Sequence, residues 1–256
     1  MEKIIISKLK EIEEKYDIEI LFACESGSRA WGFPSTDSDY DVRFIYKRKK
    51  NHYMSVFEES TELGFSIVDD LDFVGWDIKK VFLLLHKSNV TPFEWLQSPI
   101  VYCEKEGFQT YMKSVFIDFY VAKRHIHHYL GIVRGRMESV SFEEMKLKSF
   151  FYIMRSLLSA YWSMKFGTYA PMEFEPLMTL LPEKIKVSCK ELRSLKLELE
   201  ESFVFSLSDE LRTFIIERQD EIWTYADTLD AMMISKELAN VGFLKILEDD
   251  YRSASC

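Results

Sequence analysis

Gly27-Ser28-Arg29-Ala30-Trp31-Gly32, followed a short way on by Asp39-Tyr40-Asp41, sets a small-residue turn beside two carboxylates. Glycine lets the backbone approach an anion closely, and the N–H groups of a turn entering a helix point at it, so the turn suits a phosphate. On a strand, residues i and i+2 project from one face, so Asp39 and Asp41 point together while Tyr40 points away. Two anions held that close repel each other unless a cation lies between them. Magnesium takes oxygen ligands and is commonly held by one or two carboxylates plus substrate phosphates, which this arrangement supplies. The chemistry that follows is transfer at a nucleotide phosphate. The competing account is a polar turn over 34–39 whose Ser and Asp side chains satisfy their own backbone. The Gly-Ser turn a few residues away favours the metal.

Such a site needs strands on both sides of the turn. The apolar run 20–24 reads as a buried strand, 41–46 as a second, and 64–74 as a third. An amphipathic helix is expected over 1–16, with Ile5, Ile6, Leu9 and Ile12 at helical spacing. Helix 78–87, a short helix starting at Thr91-Pro92 and a strand at 100–102 complete this part. Near Lys105-Glu106-Gly107 the pattern turns to long helical stretches, roughly 108–138, 141–166, 183–200 and 208–235, interrupted by Gly167, Pro171, Pro176 and Pro182. The expected class is α+β, with a small mixed β-sheet lobe over 1–105 followed by an α-helical lobe over 106–256. Residues 252–256 are expected to fray.

At 256 residues and 47% hydrophobic content the chain can bury a sizeable core, which argues against disorder. No apolar run is long enough to span a bilayer, and residues 1–6 lack a secretory signal's apolar region, so the default expectation is a cytoplasmic protein with no membrane partner. Cys24, Cys103, Cys189 and Cys256 are scattered, which suggests reduced thiols rather than zinc or disulfides, with Cys24 in a buried strand. A net charge of −9 argues against extended DNA binding, because phosphate neutralisation supplies most non-specific affinity. The runs Lys47-Arg48-Lys49-Lys50 and Lys123-Arg124-His125 are either solvated faces or a local basic patch.

These residues resemble a known family. Gly27-Ser28 followed by Asp39-x-Asp41 is similar to the signature of the DNA polymerase β-type nucleotidyltransferases. The longer strings, residues 27–32 and Ser38-Asp39-Tyr40-Asp41-Val42-Arg43, resemble a narrower branch associated with bacterial RNA repair. The likeness continues through Gly75-Trp76-Asp77-Ile78-Lys79-Lys80, Ser88-Asn89, residues 94–99, residues 148–162 and Pro171-Met172-Glu173-Phe174, so it covers most of the chain. It implies a nucleotidyltransferase lobe in which Gly27 and Ser28 contact a nucleoside triphosphate and Asp39 and Asp41 bind two magnesium ions (Mg2+). The implied reaction is in-line displacement at the α-phosphate with release of pyrophosphate. ATP is the expected donor, and the acceptor is an RNA end, a small molecule or a protein.

The resemblance also implies a third carboxylate on a neighbouring strand. Asp72, between Leu71 and Phe73, is the choice; Asp70 shares its face, and Asp69 faces away. Asp77 reads instead as the N-cap of the helix that follows. Arg29 either adds charge to the triphosphate or pairs with a structural acid. Trp31 either packs on a base or anchors the loop. Lys148, Tyr152 and Arg155 share one helical face, which is either solvated or brings Lys148 and Arg155 to phosphate or acceptor. His125, His127 and His128 spread around the helix axis and make no metal site. The alternative to an enzyme is a nucleotide-binding regulatory module without turnover, or a helical partner protein built on a dead catalytic domain.

Overall fold

The structure, a computed structural model, describes residues 1–57, 59–230 and 232–251, so the fraying expected for residues 252–256 lies outside the described residues. In chain order the elements begin with α1 (Glu2–Tyr16), β1 (Glu19–Glu25), α2 (Gly27–Trp31), β2 (Tyr40–Lys47) and α3 (Lys50–Tyr53). Next come β3 (Glu62–Gly64), β4 (Leu71–Asp77), α4 (Ile78–His86), α5 (Val90–Trp95), β5 (Val101–Glu104) and α6 (Phe108–Phe119). The remainder is α7 (Ala122–Met137), β6 (Met145–Lys146), α8 (Leu147–Phe166), α9 (Phe174–Leu177), α10 (Glu183–Glu198), β7 (Val204–Phe205), α11 (Asp209–Thr228) and α12 (Lys236–Leu247). The class is α+β. Two compact units form: Met1–Gly27 and Asp39–Phe119 with Met233–Cys256, and Ser28–Ser38 with Tyr120–Met232.

The first unit holds a mixed five-stranded sheet in the order β3-β4-β2-β1-β5. Its apolar strand residues Ile20, Ala23, Val42, Phe44 and Phe73 cluster with Ile5, Leu9 and Ile12 of α1, the helix spacing having placed those three on one face. On α4, Ile78, Val81, Phe82 and Leu85 are buried. β1 pairs antiparallel with β2, and β2 runs parallel to β4 with Asp41 opposite Asp72 and Arg43 opposite Val74.

The single strand expected over 64–74 is instead a hairpin. Asp69 and Asp70 take left-handed backbone angles, φ 52° and 62°, which Asp tolerates better than most residues, and the chain reverses there between β3 and β4. The expected helix 208–235 stops at Thr228, and the sequence reading missed a further helix, α12, capped by Ser235, whose Oγ accepts from the N–H groups of Glu237 and Leu238. α12 belongs to the first unit. Its Gly242 lies so close to Phe82 that a Cβ there would come 2.4 Å from the ring.

In the second unit α8 is buried on nearly every side, which marks it as a core helix. Phe33, fully buried, stacks on Phe151 with centroids 5.1 Å apart and meets Phe174 edge-on. The loop Ser28–Ser38 is thereby fastened to α8. The expected helix 108–138 breaks at Val121, whose extended backbone starts α7, and the stretch expected as helix from 141 first pairs β6 with β7 before α8 begins. Among the described residues no helix is long and apolar enough to cross a membrane.

Candidate functional site

In the first unit, Asp41 and Asp72 arrive side by side because β2 and β4 run parallel in register, and paired residues project from the same face. One guanidinium joins them: Arg43 Nη2 donates to Asp41 Oδ1 and to Asp72 Oδ2, both at 2.7 Å. Arg43 Nη1 donates to the carbonyl of Asp72 at 2.9 Å. Gly27 stands against the same carboxylate. Its φ is +60°, and a Cβ built there would lie 1.9 Å from Asp41 Oδ2, so this position needs glycine both for its backbone and for room. Asp39 precedes the strand and is exposed.

Asp41 is also held from behind. Its N–H donates to Oε1 of the fully buried Glu25 at 2.8 Å, its carbonyl accepts from Ser26 N–H, and the Tyr102 hydroxyl donates to Glu25 Oε2. The other acids of this region have separate tasks. Asp70 is an exposed turn residue whose carbonyl accepts from Tyr40 N–H. Asp77 caps α4 by accepting from Lys79 N–H at 2.8 Å and receives the Tyr53 hydroxyl; burial pushes its carboxyl up.

These donors fit a hard divalent cation. Two carboxylates close enough to share one cationic nitrogen match the oxygen-rich setting in which magnesium is held together with substrate phosphates. Among the described residues no larger group of acidic, His or Cys side chains gathers at metal-ligating spacing.

The second unit carries the remaining predicted residues. Ser28 Oγ donates to Ser38 Oγ at 3.1 Å, and Arg29 donates through Nε and Nη2 to the Ser38 carbonyl at 3.2 and 2.8 Å. Ser38 Oγ donates to Glu201 Oε1 at 3.2 Å, Lys148 donates to Glu201 Oε2, and Glu201 N–H donates to Asp37. Lys196, buried, donates to Ser35 Oγ, and burial lowers its ammonium pKa. The loop is thus a hydroxyl-rich curve tied to two lysines and one glutamate.

Trp31 is gripped by α8: the Arg155 guanidinium lies 4.3 Å from its ring centroid and Tyr152 meets it edge-on at 4.9 Å. Arg155, 3% exposed, also donates Nε to the Met172 carbonyl at 2.9 Å. Tyr152 and Arg155 therefore pack on the loop, while Lys148 on the same helix pairs with Glu201. His125 is buried among Tyr120 and neighbours, and burial pulls its imidazole down to about 3. The run Lys47-Arg48-Lys49-Lys50 meets carboxylates at each position, namely Asp249, Glu59, Asp17 and Glu248.

Sequence reasoning missed Arg43, Glu25 and Glu201 as members of these clusters. The first had a signal, since Arg43 stands two residues beyond Asp41 on the same strand face. Glu25, an acid closing an apolar strand, had a fainter one. Glu201 had none.

A family model described as the RNA repair pathway DNA polymerase beta family matches residues 1–241. The Bacillus subtilis (strain 168) protein YcgL is 38% identical over 235 residues, 90% of either chain. A solved structure of a nucleotidyltransferase-like protein from Exiguobacterium sibiricum 255-15 is 11% identical and aligns over 96% of this chain and 80% of its own, with a TM-score of 0.32.

Proposed function

The chain belongs to the RNA repair pathway DNA polymerase beta family, and on that premise we propose that it is a magnesium-dependent nucleotidyltransferase that moves AMP from ATP to the end of an RNA, releasing pyrophosphate. The observation that carries this reading is Asp41 beside Asp72 on parallel strands, with the Gly27 turn packed against the Asp41 carboxylate.

In this reading Asp39, Asp41 and Asp72 hold magnesium, and Asp72 assists removal of the acceptor's proton. Magnesium bound by such carboxylates supplies charge stabilisation at the reacting phosphate and makes an attacking hydroxyl more acidic. Gly27, Ser28 and Arg29 hold the triphosphate, the glycine by close backbone approach and the arginine by charge. Lys148 adds a second cation to that task. Glu25 fixes the backbone of Asp41 through its N–H, and Arg155 acts through Trp31 by fastening the loop that bears Ser28.

The test is transfer of α-labelled nucleotide, using each of the four triphosphates with magnesium and cellular RNA, small-molecule and protein fractions as acceptors. The wild type is expected to label RNA from ATP, and the double variant Asp39→Ala/Asp41→Ala to lose at least about a hundredfold of that rate, since a metal held by such ligands takes several kcal/mol off the barrier. Labelling of another fraction would replace the acceptor. A silent wild type that still binds nucleotide would replace the enzyme by a regulatory module.

A further inference from the structure

Arg43 does more than tie two strands. Its guanidinium reaches one oxygen of each carboxylate at 2.7 Å, and Nη1 adds the carbonyls of Asp72 at 2.9 Å and Val42 at 3.2 Å. The side chain is 15% exposed, so solvent screens it only in part. The Arg43 guanidinium is a fixed positive charge that offsets part of the negative charge Asp41 and Asp72 bring together. Nη1, tied to the two main-chain carbonyls, fixes the plane of the guanidinium, and Nη2 then fixes how the two carboxylates face, because neither can rotate without losing a charge-assisted hydrogen bond.

These two properties act in opposite directions on a bound cation. The fixed positive charge repels a divalent ion at the same carboxylates and weakens its binding. The guanidinium, anchored through Nη1, holds the carboxylates in the orientation from which they ligate, as hydrogen-bonding partners behind metal ligands generally do. We propose that Arg43 is a positioning residue of the magnesium site, its charge setting how weakly the ion is held and its geometry setting how well the held ion works. The proposal rests on reading Asp41 and Asp72 as magnesium ligands. A strand tie with no part in the site would instead lower stability and leave cation binding alone.

Charge and geometry separate in two variants. Arg43→Ala removes both, whereas Arg43→Lys keeps the charge but lacks the second nitrogen that anchors the planar group to the Val42 and Asp72 carbonyls. Binding of Mn2+ to the full chain, followed by electron paramagnetic resonance without nucleotide, reads affinity independently of turnover; Asp41→Asn marks which binding belongs to this site. Arg43→Ala is expected to bind Mn2+ about tenfold more tightly than wild type, and Arg43→Lys within about twofold of it. Both are expected to transfer nucleotide on the order of ten- to a hundredfold more slowly at saturating metal.

Thermal melts verify that each variant is folded, and Arg43→Gln, which drops the charge but keeps an amide donor, replaces the alanine variant if that chain does not fold. Unchanged or weaker Mn2+ binding in the neutral variants would overturn the proposal while leaving the magnesium reading intact. Wild type that binds no Mn2+ beyond the Asp41→Asn control would overturn both together.

Discussion

In the first unit two carboxylates share a guanidinium, while in the second an ammonium and a serine hydroxyl share a carboxylate. Asp41, Asp72 and Arg43 are brought together by strand register, so their spacing is set by the backbone ladder itself. Lys148, Ser38 and Glu201 come from a core helix, a loop end and the segment after α10, and side-chain contacts join them. A ladder fixes its residues to within a pleat, whereas a loop cluster can reorganise at the cost of a few hydrogen bonds. Metal ligation demands the first kind of precision. Phosphate, a larger anion with several acceptor oxygens, tolerates the second.

The sharpest way to break this contrast is Gly27→Ala, which removes no polar group. The added methyl would meet Asp41 Oδ2 at 1.9 Å with the backbone at φ +60°, so either the carboxylate or the turn must shift. Misplacement of a reacting group by about an ångström costs on the order of a hundredfold in rate, and the strained glycine position adds a destabilisation of about 1–3 kcal/mol. Transfer and the thermal midpoint are both expected to fall. Transfer within twofold of wild type would mean that the ladder's precision at Asp41 is not what the chemistry needs.

The same contrast decides what the sequence made legible. Period-two geometry set Asp39 and Asp41 together on one strand face, but the strand begins at Tyr40, so Asp39 stays ahead of it and the ladder pairs Asp41 with Asp72, which the resemblance supplied. Asp77 was readable as a cap because the apolar helix starts at the next residue, and its bond to Lys79 N–H is local. Asp69 and Asp70 crowded the choice of third ligand because a hairpin turn and a strand end look alike when acids fill both. Glu201 could not be read, since nothing in residues 199–203 indicates that they fold against a serine 163 positions earlier. Lys148, Tyr152 and Arg155 lie on one helix, but the spacing did not say that Trp31 would cover Tyr152 and Arg155 while Lys148 turned to Glu201.

Arg155→Leu sharpens the comparison from the side of the loop. It keeps apolar volume while deleting the cation over Trp31 and leaving the Met172 carbonyl without its buried donor. The two losses together are expected to lower stability by about 2–3 kcal/mol, visible as a drop in the unfolding midpoint. Nucleotide affinity measured below that midpoint, with Trp31→Leu set beside it, separates two roles: an equal fall in both variants makes Arg155 a fastener of the loop through Trp31, and a larger fall in Arg155→Leu makes it a phosphate contact.

Glu201→Gln is the gentlest intervention and tests the tolerant end of the contrast. Lys148 and the Ser38 hydroxyl both donate to this carboxylate, and in the proposed function Lys148 donates to a phosphate instead, so glutamate and nucleotide compete for one ammonium. The amide keeps the size and an acceptor oxygen but removes the charge that holds Lys148. Because the Glu201 side chain is 24% exposed, solvent screens part of the interaction, and the expected gain in triphosphate affinity is about threefold, larger at low salt than at high. The effect should vanish in a Lys148→Ala background, because the competition then has no object. An equal gain with and without Lys148 would mean that Glu201 acts on the nucleotide by charge alone, and a loss of affinity would make Glu201 a support of the loop rather than a rival to the phosphate.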